Sequence, residues 1–317
     1  MWFVLRALIA LLLLWLPATA TAKGPTFKTP NEIFVWIDTY QDDPKPARVS
    51  AAVHDMRRLG LFKDLDQAGL LIGFVAGVLG DNQSKAEKLV AKMFPMPPRE
   101  QVVIIKAIAF SGNPYWPELL NKFAERMPAR RDLIDKFISG EEKTLMERPL
   151  EEGPDVIDAL WGFRSATGYH EPVLRIISAL RWADEEDDLD KLTVASKAKW
   201  TLAAAAERDR DLLNLYRLHV EHQPKEIAEP LKEVADAAEA YEATRLRKDA
   251  IASVDDLKRK GPKKASWSWA SQVGQTALSV GCVIATALGH PEIAAPCIVT
   301  GALATGVTKL LQLKDQN

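Results

Sequence analysis

His219-Val220-Glu221-His222 is the pair of histidines in this chain best spaced to hold a metal ion. Side chains three apart on a helix are neighbours on one face, so both imidazoles can reach one ion. The spacing is one residue short of the zinc-protease pattern, which sets its histidines four apart around a glutamate. Lying just before Pro224, at a helix end, the two read better as solvated side chains. Asp184-Glu185-Glu186-Asp187-Asp188 with Asp190 offers oxygen ligands but lacks the spaced acids and central glycine of a calcium loop. A solvated turn leading into the acidic first turn of a helix explains it. Trp36, Trp116, Trp161, Trp182 and Trp200 recur at helical spacing and are expected in a core. Trp116, Tyr169 and His170 fall near inter-helix turns, where an array of helices presents ligands, and form the candidate ligand groove. A phosphate loop, a nucleophile elbow and a Ser/His/Asp arrangement are all missing. No catalytic residue, cofactor site or resident metal is therefore expected. The enzymatic alternative is a cell-wall hydrolase using a glutamic acid in an apolar cleft.

The elements that would position these residues are helices. Strand signals are almost absent, Leu, Ala, Lys, Glu and Arg fill the long segments, and Gly and Pro punctuate them. Helices are expected at Asn31–Gln41, Ala47–Leu59, Leu65–Leu79, Ser84–Met93, Pro98–Phe110, Trp116–Arg126, Arg130–Ser139, Pro154–Thr167, Glu171–Ala183, Leu189–Glu207 and Arg210–Glu221. Short turns between them favour antiparallel neighbours.

A faint repeat runs through this array. Around Gly80 and again around Gly112, a helix ends at a glycine, a polar turn follows, and a second helix stops at a proline, Pro95 or Pro128. A poorer copy surrounds Gly168. Glycine accepts the left-handed conformation of a helix C-cap, and proline cannot continue a helix. With Leu119 and Phe123 as second-helix packing residues and Pro128 as the terminator, the chain resembles the tetratricopeptide-like class of α-helical repeats. The first-helix signature of that class, an aromatic followed by a Leu-Gly pair, is missing. The resemblance implies an α-solenoid-like array over residues 23–223; a non-repetitive helical bundle is the alternative.

Residues 224–260 form a long amphipathic helix whose Leu231, Val234, Ala238 and Tyr241 make a seam. It packs either on the end of the array or as a free coiled-coil arm. Residues 261–317 read as an apolar helical hairpin, in which Ala277, Gly281, Ala285 and Gly289 form a small-residue stripe. Cys282 and Cys297 sit symmetrically about the turn Gly289-His290-Pro291, so an antiparallel hairpin sets them opposite each other, in position for a disulfide. A helix pair without a charged face must be covered. The cover is the rest of the chain, a second copy in a homo-oligomer, or lipid. Lys263, Lys264, Trp267 and Trp269 are the candidate membrane-interface residues. Their lysines on the exported side run against the positive-inside rule.

Arg6, an apolar run from Ala7 to Leu16, Pro17 and the small-residue site ending at Ala22 are the marks of a cleaved secretory signal peptide. The chain is then periplasmic or secreted. With 41 Lys and Arg against 43 Asp and Glu, its net charge of −2 argues against a nucleic-acid partner. The reading is an exported, all-α, non-enzymatic scaffold that binds a protein or another envelope component, with a membrane-associated protein as the alternative.

Overall fold

The computed structural model describes residues 26–185 and 187–241, and every regular element among them is helical. The all-α class is correct. Helices α1 (Pro30–Asp38) and α2 (Val49–Arg58) lead into the apolar α3 (Gly69–Asp81) and the short α4 (Gln83–Ala91). Next come α5 (Gln101–Ala109), α6 (Trp116–Ala124) and α7 (Arg131–Ile138). A connection then reaches α8 (Pro154–Thr167), followed by α9 (Glu171–Ser178), α10 (Leu189–Ala206) and α11 (Arg210–Val220). Residues 225–241 are the last helix described, α12.

Local chemistry sets the helix ends. Thr29 caps α1 by accepting from the Glu32 N–H, while the Glu32 carboxylate accepts from the Lys28 N–H. Asp188 and Asp209 cap α10 and α11 in the same way. Helix α3 starts at Gly69 rather than Leu65 because Asp64 folds the chain into a turn, accepting from the Asp66 N–H and the Gln67 amide. Beyond Ser178, α9 tightens into a 3-10 turn, Ala179–Trp182.

The middle of the molecule is a pair of helices that the sequence places far apart. Helix α3 lies along α8 over its whole length, and the two run parallel: Gly69 meets Asp155, Gly73 meets Ala159, and Gly77 meets Phe163 and Ala166. A Cβ at Gly73 would stand 1.9 Å from the Ala159 carbonyl oxygen, and one at Gly162 would stand 2.0 Å from that of Leu70. Only glycine allows backbones this close, which places carbonyl oxygens against Cα–H groups. Helix α3 is buried on nearly every side, as a helix apolar all round must be. The remaining hairpins wrap this pair: α5 packs on α3, α6 on α5, α7 on α6, α9 and α10 on α8, and α11 on α10. Their inward faces join one hydrophobic core running from Phe27 to Ala238.

The glycine punctuation serves two different purposes. Gly112 and Gly168 have φ of +69° and +75°, the left-handed geometry of a helix end. Gly80 does not end a helix; α3 continues to Asp81, and Gly80 is needed because the Ser111 carbonyl oxygen occupies the place of its side chain. Along α12, Leu231, Val234 and Ala238 are buried in the common core, while Tyr241 is exposed. Ion pairs Lys199–Glu233 and Arg217–Glu239 fasten this helix to α10 and α11. No helix among the described residues is long and apolar enough to cross a membrane.

Candidate functional site

Because α3 and α8 run parallel, their N-termini meet at one end of the molecule and their C-termini at the other. The N-terminal end holds a narrow cleft of about 10 Å³, the room of a single water molecule. Its walls mix apolar side chains, including Leu65, Ile72, Phe110 and Val156, with the polar groups Lys106, Arg148 and Asp155. Lys106 is the one charged residue in the run Val102–Phe110, so burying α5 carries its stem inside. No described residue offers its ammonium a hydrogen bond or an ion pair, and burial, then the Arg148 charge, push its pKa down. The charges of Asp155, Glu142 and Asp66 oppose that shift. Arg148 is held in place: Nη1 donates to Glu142 Oε2 at 3.1 Å, Nη2 pairs with Glu152 Oε2 at 2.5 Å, and its carbonyl accepts from Arg175.

One turn farther along α8 lies Asp158, buried beside Gly69 and paired with Lys197 Nζ of α10 at 2.5 Å. Burial pushes this carboxyl above the usual range, while Lys197 pulls it back and Asp155 adds to the rise. A lysine displaced toward its neutral amine and a carboxyl displaced toward its acid thus lie near one another at this end of α3 and α8.

At the opposite end three inter-helix turns come together. Gly80 packs on Ser111, Gly112 lies against Phe163, and the Gln41 amide donates to the Ser165 and Ala166 carbonyls at the end of α8. Tyr169 Oη donates to Asp81 Oδ1 at 3.0 Å, which ties the turn after α8 to the end of α3. Burial raises the Asp81 pKa, and the hydrogen bond from Tyr169 offsets part of that. The Tyr115 N–H donates to Asn113 Oδ1 at 2.9 Å in a tight turn. Tyr115 and Tyr169 are the aromatics these turns offer to solvent, 68% and 54% exposed. Trp116 is not one of them; its ring is half-buried and meets the Phe137 ring edge-on at 6.4 Å, so it fastens α6 to α7. His170 is exposed at the start of α9.

The two histidines of the metal candidate point their rings to different surroundings. His219 Nδ1 is buried without a hydrogen-bond partner, whereas His222 is exposed and its Nδ1 bonds the Leu218 carbonyl at 2.8 Å. Among the described residues no three His, Cys, Asp or Glu side chains gather closely enough to share an ion. Trp36 belongs to a core cluster with Phe27, Tyr40 and Phe74. Cys282, Cys297, Lys263, Lys264, Trp267, Trp269 and residues 1–22 lie outside the described residues.

Lys106, Arg148, Asp158 and Lys197 were not apparent as a group from the sequence. A lone lysine within Val102–Phe110 is a signal that was available there; the pairing of Asp158 with Lys197 has no local trace. No family model, curated protein or solved structure matches this chain.

Proposed function

We propose that the chain is an exported helical scaffold that binds a protein or other envelope partner through the face formed by the turns at the C-terminal end of α3 and α8. The observation that carries this reading is the pair of exposed tyrosines, Tyr115 and Tyr169, on neighbouring turns where their backbone N–H groups donate to Asn113 Oδ1 and Thr167 Oγ1. Tyrosine gives a large contact area at little cost in conformational freedom, and it is enriched among the residues that dominate binding energy. Rigid turns beneath the rings reduce the ordering cost of association. The paired helices α3–α4 and α5–α6, with Leu119 and Phe123 buried and Pro128 opening the next turn, are consistent with a degenerate tetratricopeptide-like repeat.

The test is capture from an envelope extract by the purified full chain, beside the Tyr115→Ala/Tyr169→Ala variant. A partner held stoichiometrically by the wild type should bind the variant roughly 30-fold less tightly, the loss expected for hot-spot residues worth about 2 kcal/mol. A partner held equally by both proteins, or turnover of cell-wall material by the chain alone, would overturn the reading.

A further inference from the structure

Residues 92–99 join α4 to α5 at the end of the molecule where α3 begins, away from the turns that carry Tyr115 and Tyr169. We propose that this loop docks on a surface of anionic phospholipid, with its prolines among the headgroups and the arginines around it on lipid phosphates.

The first support is the backbone of the loop. A segment that enters a membrane interface gives up water, so its N–H and C=O groups need partners inside the protein. Pro95, Pro97 and Pro98 are exposed, and proline has no N–H to satisfy. The four successive carbonyls of residues 95–98 are all taken. That of Pro95 accepts from Arg57 Nη1 at 3.5 Å, that of Met96 from Gln101 Nε2 at 2.9 Å, and that of Pro98 from Arg130 Nε at 2.7 Å. The Pro97 carbonyl accepts from the Glu100 and Gln101 N–H groups. Within this stretch only Met96 keeps an amide hydrogen, so the loop turns proline rings rather than amides outward.

The second support is charge. Besides Arg57 and Arg130, Arg126 lies over the Phe94 ring at 4.1 Å from its centroid, and Arg99 Nη2 donates to the Lys63 carbonyl at 2.7 Å. Four guanidiniums thus surround residues 94–99, which even fully extended span about 20 Å. Arg58, Arg131, Arg148 and Arg217 each pair with a carboxylate. The four around the loop pair with none among the described residues, although Glu100 and Glu125 adjoin Arg99 and Arg126 in the chain. A bond to a carbonyl or a stack on a ring uses part of a guanidinium, and its remaining N–H groups suit a phosphate. Lys63 and Lys92, both exposed, add charge at the same place. A nucleic acid or an acidic peptide would meet the same cations but gives no reason for a proline loop with satisfied carbonyls.

The purified full chain would be sedimented with vesicles of phosphatidylcholine, alone or mixed with phosphatidylglycerol. Binding is expected to the anionic vesicles only, and it should weaken as salt is raised. At roughly 5-fold per cation near such a surface, Arg99→Gln/Arg126→Gln should lower the partition coefficient about 25-fold. Arg99→Lys/Arg126→Lys should restore most of it, since a lipid surface reads charge. Pro97→Asp, which sets an anion on the loop itself, should weaken binding, whereas Lys225→Gln and Tyr115→Ala/Tyr169→Ala should leave it unchanged. The last of these keeps the failure of this proposal separate from that of the turn face. If the arginine variant loses its helical circular dichroism, Lys63→Gln/Lys92→Gln gives the same reading from exposed side chains. No binding to anionic vesicles, equal binding by wild type and the charge variants, or capture of polyglutamate or duplex DNA in place of lipid would overturn the proposal.

Discussion

Asp158 and Lys197 show what a buried ion pair does to a helical core. Desolvating both groups offsets much of their attraction, so the pair adds little net stability, yet removing one partner leaves a buried charge uncompensated. Lys197→Met should therefore cost about 3–5 kcal/mol, measured by urea denaturation at neutral pH. The pH dependence has a definite sign. Asp158 holds its proton more tightly folded than unfolded, so its contribution is complete below the unfolded value near 4 and is lost as pH rises through the higher folded value. Relative to Asp158→Asn, the wild type should lose stability as pH is raised from about 4 toward neutrality. Parallel denaturation of the two proteins across that range checks it, and a constant difference would contradict the burial of this carboxyl. The sequence gives Asp158 no special mark, because its partner is thirty-nine positions away and only packing brings the two together.

Helix α3 carries the clearest lesson about elements. Gly69, Gly73 and Gly77 recur every four residues, a spacing that lets two helix backbones approach and that was legible in the sequence. The same four-residue spacing of small residues recurs over residues 277–289. The spacing tells that a partner comes close, but nothing local says the partner is α8 or that the pair is parallel. Gly73→Ala should cost about 3 kcal/mol, since its methyl group would overlap the Ala159 carbonyl and push two rigid helices apart. Gly140→Ala provides the contrast. It has φ of +76° with nothing within 4 Å, so only backbone strain of about 1 kcal/mol is expected. Chemical denaturation of both variants separates close approach from backbone conformation. Gly80 carries the same ambiguity: a glycine at a helix end and a glycine at a backbone crossing look identical in sequence.

On the scale of the molecule, the order of contacts distinguishes this chain from a simple solenoid. In a solenoid each repeat touches its neighbours, and unfolding can proceed piecewise. Here the most extensive contact joins α3 to α8, and one core extends from Phe27 to Ala238. Unfolding of the full chain should then be a single transition, with tryptophan fluorescence and helical circular dichroism coinciding. Separate midpoints would show that the hairpins behave as independent units. The proposed export makes a further prediction: the mature chain recovered from an expressing bacterium should begin at Lys23, as N-terminal sequencing would show.

The sequence by itself determined the helices of residues 26–241, because their causes are short-range: apolar spacing, capping Thr29, Asp188 and Asp209, and the glycines and prolines between. The helix Pro154–Thr167 has the bounds its sequence predicts, and others differ where turns such as that at Asp64 compete. Only the tertiary structure decided which helices pair, that Trp116 faces Phe137 while Tyr115 faces solvent, and that Lys106, Arg148 and Asp155 share a cleft. Those outcomes depend on contacts between segments distant in the chain, where the fit of whole helix faces selects the partner, and no local pattern encodes that fit.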